Sequence, residues 1–440
     1  IGWQATLADG QARHIKEKSE FEKLDSVLSL PRKYGIKIVY ATEILFHKQQ
    51  KGLHYKHTRG RHYNPPNLLS LEKDLYIFAK RFKDKVDVWN LQDELSTFKC
   101  PLYAWPLYHK VAVDAIRKAD PESKVIVSSE PAFQEHILKV LGKNYLTAVC
   151  DAYFSPVNGR RYLHLQYAEI AKEWNLPLWF SGFGYPTKSF YRTRAKTMGY
   201  ENEDAYSIYR KPVDSTAASM TVHRLEFGAD CFLLYSAIPS ILSPFKLRPT
   251  NIYDIDGSII NVAACYASIC DFLQDTEKSK KLNSPYSWLP VYAFRRKGKN
   301  YIAFWVDEGG LNRYGSIRYG DYLIEISLKG VLKDCFGNLY PSQTKGNATL
   351  IRFEGQPLYL DVGNTGFSEI SEAIKNIKFK ELIGIRGFCS GDRKGKVFFN
   401  VVIRNLTEHP IDGELNIRCL LYTSDAADEL DGVDLGGRRI

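Results

Sequence analysis

The stretch Val86-Asp-Val-Trp-Asn-Leu-Gln-Asp-Glu94 is a compact apolar run that ends in two adjacent carboxylates. Such a run reads as a buried strand, which places Asp93 and Glu94 at its carboxyl end. A carboxyl group there, with Trp89 and Trp105 nearby in sequence, would be partly withdrawn from water. Its pKa would rise, as a general acid near neutral pH requires. Cleaving a glycosidic bond asks for two such carboxyls, one to protonate the leaving oxygen and one to attack the sugar or activate water. The same pair could instead be solvated acids at a helix N-terminus, favoured by its dipole.

The elements that would position these residues alternate along residues 24–237. Short β-rich runs occur at 36–41, 86–91, 124–128, 151–154, 178–180 and 230–235, and amphipathic helical runs lie between them at 21–34, 71–82, 108–119, 162–174 and 215–227. Six βα units in a row predict an α/β domain with a parallel sheet. No GxGxxG or GxxxxGK[ST] is present, so the nucleotide-binding versions of that architecture lose support. Polar and aromatic residues gather just after the strands, at Glu43, Asp93-Glu94, Glu130, 155–161 and 182–188. Chemistry grouped at strand carboxyl ends is the habit of (β/α)8 barrels. The expected fold is therefore a (β/α)8 barrel over 1–275 that lacks its N-terminal strand or strands, with residues 1–3 as the end of one more. Charged residues 275–281 read as a linker. Alternating runs split by Gly/Asn/Lys turns then predict an antiparallel β-sandwich over 282–365, and 366–418 reads as a truncated second β-domain.

Four segments together resemble the clan A retaining glycoside hydrolases, barrels of the broad cellulase-like type. These are FEKLDSVLSLPRKYGIKIVY (21–40), VDVWNLQDE (86–94), AVDAIRKADPESKVIVSS (112–129) and LPLWFSGFGYPT (176–187). The resemblance implies that Glu94 holds the position of the acid/base, and that Asp93 stands where an Asn usually binds the sugar 2-hydroxyl. It also implies a nucleophilic Glu where this chain reads Ser181-Gly182-Phe183. Glycine supplies no oxygen for a glycosyl-enzyme intermediate. Three explanations stay open: an altered codon, a barrel that binds glycans without cutting them, or another carboxylate such as Glu130 or Glu43. The resemblance further implies a carbohydrate ligand, no cofactor, and a secreted or periplasmic location. Trp105, Tyr185 and Tyr235 are candidate sugar platforms, whereas Trp179 reads as barrel packing.

The formal net charge is +10, yet no recognition-helix or RNA-binding signature accompanies it, so nucleic acid is not the expected partner. Basic residues collect instead in segments that follow strands: 47–62, Arg160-Arg161, and Lys188, Arg192 and Arg194. Positive charge around a cleft would favour an anionic glycan, uronate-bearing or sulfated; a solvated basic rim is the alternative. His47, His54, His57 and His62 match no closed zinc spacing, and no metal is expected. The eight Cys include no CxxC pair and read as buried thiols. No apolar run reaches the length of a membrane span. Residues 419–440 break register with the preceding strands and resemble sequencing-adapter read-through, which a fold analysis would exclude.

Overall fold

The computed structural model describes residues 4–7, 18–33, 37–42, 67–93, 101–151, 161–183, 205–235, 261–307, 317–381, 383–391 and 397–405. Its first half alternates strands and helices: β1 (Gln4–Leu7), α1 (Lys18–Lys33), β2 (Lys37–Ala41), α2 (Leu68–Phe82), β3 (Val88–Asp93), α3 (Trp105–Ala119), β4 (Lys124–Ser128), α4 (Pro131–Leu141), β5 (Val149–Cys150), α5 (Arg161–Trp174), β6 (Leu178–Phe183), α6 (Ala205–Leu225) and β7 (Cys231–Tyr235). The strands pair in parallel in the order β1 to β7, and β1 also pairs with β7 through Ala5↔Leu234 and Thr6↔Tyr235. The ring is closed. The sequence reading expects only the end of a strand here, at residues 1–3; β1 lies at Gln4–Leu7 instead and closes the ring. Four residues are too few to show a hydrophobic period, so only the pairing reveals this strand.

Local chemistry explains the elements. Asn67 caps α2 by accepting the Ser70 amide at 3.1 Å, supplying one of the partners that a helix N-terminus lacks. Leu71, Leu75, Phe78, Ala79 and Phe82 then repeat on the buried stripe of that helix, as a 3.6-residue period requires. Pro stands in the first turn of both α3 and α4, where its missing N–H costs nothing. Helix α4 lies in a region the sequence reading left unassigned, and its stripe of Pro131, Phe133, Gln134, Ile137 and Leu138 is interrupted by a buried glutamine.

After α7 (Asn261–Leu273) the chain turns antiparallel, with β8 (Thr276–Leu282), β9 (Val291–Arg296), β10 (Lys299–Phe304), β11 (Tyr322–Ile326), β12 (Val331–Lys333), β13 (Gln343–Lys345), β14 (Ala348–Phe353), β15 (Leu358–Gly363), α8 (Phe367–Lys375) and β16 (Lys378–Glu381). One sheet has the order β12-β15-β10-β9-β8 and the other β13-β14-β11-β16. Val291, Ile302, Phe304, Leu358 and Leu360 from the first share a core with Ile324, Ile326, Ile351 and Phe353 from the second. The expected linker is the edge strand β8, whose charged TEKSKKL sequence is what an exposed edge carries to deter further pairing. Residues 366–381, expected to start another domain, instead supply α8 and β16, and β16 pairs with β11. A separate hairpin joins β17 (Ile383–Gly391) to β18 (Val397–Asn405).

The sheets adhere to the barrel through a shared apolar core, to which Tyr292, Phe294, Trp305 and Tyr359 contribute, and through polar contacts. The Tyr359 and Thr221 hydroxyls lie 2.9 Å apart, and the Tyr319 hydroxyl donates to Asp214 at 2.9 Å. The Ser279 hydroxyl donates to the Leu225 carbonyl at 2.7 Å. No helix among the described residues is long and apolar enough to cross a membrane.

Candidate active site

Alternation along the barrel strands sorts their side chains. Val39, Val88, Ile126, Ala148, Cys150 and Leu233 form one core cluster, with Trp179 packed against it. Their neighbours Tyr40, Trp89, Val125, Val127 and Phe180 belong to the cluster shared with the helices. The first set fills the ring and the second faces outward, the two sides of a period-two pleat. Trp179 thus packs inside the ring, as expected.

A polar layer follows towards the carboxyl ends of the strands. The Asn90 amide donates to the Ser128 hydroxyl at 3.0 Å and accepts the Ser128 backbone N–H at 3.1 Å, which ties β3 to β4. The Ser128 hydroxyl in turn lies 3.6 Å from Cys150 Sγ on β5. Behind them Gln134 accepts the Cys150 amide at 2.8 Å and donates to the Ser129 carbonyl at 2.8 Å, which also receives the Tyr167 hydroxyl at 2.8 Å. Buried and bonded on both sides, these groups hold the ends of β3, β4 and β5 in one arrangement. A buried Asn inside the apolar run at 86–91 is the signal for this layer that the sequence carries.

Two strands of the ring depart from regular pairing. Asn90 pairs with Ile126 and Asp93 with Ser128, so β3 spends three residues where β4 spends two. Phe180 pairs with Phe232 and Phe183 with Leu234, the same one-residue excess on β6. Among the described barrel pairs no other register shift occurs. Each excess is a bulge-like irregularity, and such bulges bend a strand, re-aim its residues and recur beside active sites. One bulge immediately precedes Asp93; the other contains Ser181 and Gly182.

Parallel pairing puts the carboxyl ends of all seven strands on one rim. Asp93 is the last residue of β3, Tyr235 the last of β7, and Gly182 the last but one of β6. In the closed order β3 and β6 are separated by β4 and β5 on one side and by β7, β1 and β2 on the other, so Asp93 and Gly182 sit across the ring. Glu130 occupies the N-cap position of α4, immediately beyond β4 on the same rim. Glu94, Arg160, Tyr185 and Glu43 lie outside the described residues, as do residues 47–62 and Lys188, Arg192 and Arg194.

Two expected site residues have other roles. Trp105 opens α3 with its side chain fully buried in the core that the helices share, so it offers no face to a sugar. Directly beneath it His109 is buried as well, its Nε2 2.8 Å from the Tyr145 carbonyl oxygen, and burial pulls its pKa down to about 4. Arg161 does not reach over the rim. Its guanidinium donates to Glu226, a carboxylate with 11% of its side chain exposed, and the same carboxylate accepts the Tyr292 hydroxyl at 2.5 Å and faces Lys281 at 3.4 Å. Tyr292 and Lys281 lie on β9 and β8, so Arg161 belongs to the junction between barrel and sandwich. Burial, and after it the Glu226 charge, pushes the Tyr292 phenol well above its ordinary pKa.

This combination of a parallel barrel with a following β-sandwich has solved counterparts. A family 39 glycoside hydrolase from Bacteroides cellulosilyticus WH2 superposes with a TM-score of 0.54 and 15% identity, over 82% of this chain and 74% of its own. The family 30 subfamily 8 xylanase Xyn30A from Clostridium acetobutylicum gives 0.50 and 11%, over 82% and 88%. The fold is that of glycoside hydrolases. It agrees with the clan A, cellulase-like resemblance of the four sequence segments. No protein-family model and no curated protein sequence matches the chain.

Proposed function

We propose that this chain carries the glycosidase site of a (β/α)8-type barrel with one strand absent from the described ring, and that the site binds a poly- or oligosaccharide. Glu94 is its acid/base, and Gly182 occupies the position of the nucleophile in a retaining mechanism. The observation that carries this reading is the pair of bulges. The two strands that break register are those bearing Asp93 and Gly182, the positions the sequence resemblance singles out, and they sit across one ring. A carboxylate pair about 5–5.5 Å apart would give retention through a covalent intermediate. Glycine at residue 182 removes the attacking oxygen and leaves the other half of the site in place.

The second reading, a barrel that binds glycans without hydrolysing them, is favoured by the same residue. The strand Leu-Trp-Phe-Ser-Gly-Phe holds no carboxylate, so no side chain on β6 can replace the missing nucleophile. Gly182→Glu decides between the two. On an activated aryl glycoside the variant gains turnover if the rest of the machinery is intact, and azide, a small nucleophile that fits the vacated volume, gives partial turnover to the unmutated chain. If neither shows activity while glycan binding persists, the barrel is a binding module. Positive charge in the segments after β2, β5 and β6 supports an anionic glycan as the ligand. Equal or tighter binding of the neutral counterpart at low salt would overturn that preference.

A further inference from the structure

A second cluster of chemically competent side chains lies behind β6, outside the ring. Asp151 follows β5, His164 sits in the first turn of α5, and His223 sits in the last turn of α6. All three are buried, at 2%, 4% and 3% exposure, and one ligand-type atom from each lies within 4.8 Å of the other two. We propose that Asp151, His164 and His223 bind a divalent transition-metal ion of the zinc type, which clamps α5 and α6 to the end of β5. The proposal is independent of the glycosidase reading.

Geometry supports it first. His164 Nε2 and an Asp151 carboxylate oxygen are 3.4 Å apart. That is long for a charge-assisted hydrogen bond, which runs at about 2.7–2.9 Å. It is close to the edge, about 3.3–3.4 Å, of a tetrahedron whose bonds to zinc are about 2.0–2.1 Å. All three ligand-type atoms lie within 4.8 Å of one another, so a bound ion would draw the two remaining edges inward.

The state of the second ring supports it next. His223 Nδ1 lies 2.6 Å from the Ser219 carbonyl oxygen. A carbonyl only accepts, so Nδ1 carries the proton and the lone pair resides on Nε2. A ring nitrogen donating to a backbone carbonyl is the usual outer partner of a metal-bound histidine. Phe180 stands edge-on to both imidazoles, with ring centroids 5.3 Å from His164 and 3.9 Å from His223. Phe227 closes the other side, 5.9 Å and 5.8 Å from the same two rings. Two imidazoles and a carboxylate suit zinc in ligand type, and a water completes a fourfold shell. Phe180 lies two residues before Gly182, so the ion would also steady the strand that bears the site.

The test uses the full chain, stripped of metal and then equilibrated with zinc or cobalt alone. After gel filtration the unmutated protein should hold about one zinc per chain. Zinc should raise its melting temperature by several degrees, since an ion that binds only the folded state stabilises that state. Cobalt should give the visible absorption of a four-coordinate N/O site. Asp151→Asn and His164→Gln should each lower retained zinc at least tenfold. The four His within residues 47–62 provide the internal control, because zinc held there survives Asp151→Asn. Should both variants fail to fold, the cobalt spectrum and the zinc stoichiometry of the unmutated chain still decide. A folded chain that retains no zinc, or one whose variants retain it equally, overturns the site and leaves Asp151 and His164 as a buried polar contact.

Discussion

Replacing Arg161 with Met separates a structural arginine from a substrate-binding one. Methionine keeps most of the aliphatic stem and removes the guanidinium that Glu226 faces. Breaking a fully buried ion pair from one side costs about 3–5 kcal/mol, because the remaining charge stays desolvated. Here the Arg161 side chain is 31% exposed and Glu226 11% exposed, and Glu226 keeps the Tyr292 hydroxyl at 2.5 Å and Lys281 at 3.4 Å. Partial solvation and the two surviving partners bring the expected loss to about 2 kcal/mol. Urea unfolding followed by tryptophan fluorescence measures it, and the double variant with Glu226→Gln should show a coupling of about 1–2 kcal/mol, as contacting residues do. Glycan affinity of the folded protein should not change. An unaltered unfolding midpoint together with weakened binding of an anionic glycan would refute the assignment and return Arg161 to the rim.

Other expectations follow from the same packing. Trp105→Ala should destabilise the barrel by about 3–5 kcal/mol, whereas Trp105→Phe should cost less and leave glycan affinity intact; a stable Phe variant with lost binding would make the ring a sugar platform after all. His109, whose pKa falls from 6.5 in an exposed state to about 4 when folded, takes up a proton in the unfolded chain before the folded one. Its contribution is therefore fully present above pH 6.5 and is lost as the pH falls towards 4, by up to about 3 kcal/mol at about 1.4 kcal/mol per unit. His109→Gln should flatten that part of the stability profile, and an unchanged slope would exclude His109 as its source. At Gly355, φ is +103° and an added Cβ would stand 2.3 Å from the Arg318 carbonyl oxygen. Gly355→Ala should accordingly lower the stability of the sandwich by about 3 kcal/mol or more, measured by the same unfolding curves.

Strong periodic segments were legible from the sequence. The runs that became β2, β4 and β7 and the helices α2, α3 and α5 carry enough apolar residues at a single period to declare their type. Weak ones were not. Gln4–Leu7 is four residues long, and Thr276–Leu282 has the composition of a linker because an edge strand needs charge. The candidate site divides in the same way. That Asp93 and Gly182 lie at strand ends was legible because a strand end is a property of contiguous residues; the roles proposed for them and for Glu94 rest on the family pattern. Trp105 and Arg161 were misjudged because proximity in sequence to a cleft residue says nothing about which way a helix turns its first residue. Asp151, His164 and His223 come from three elements separated by 13 and 59 positions, and no spacing rule reaches across such gaps.

The sequence by itself determined the alternation of strand and helix, the switch to antiparallel strands, and the absence of a carboxylate on the strand that ends in Ser181-Gly182-Phe183. These are local facts, set by hydrophobic period and residue type. Tertiary structure alone decided that β1 closes the ring, that the two bulged strands sit across it, and that Arg161 joins the sandwich. Those outcomes depend on which backbone hydrogen bonds and which buried charges find partners far along the chain, and such pairings are chosen by the packed whole.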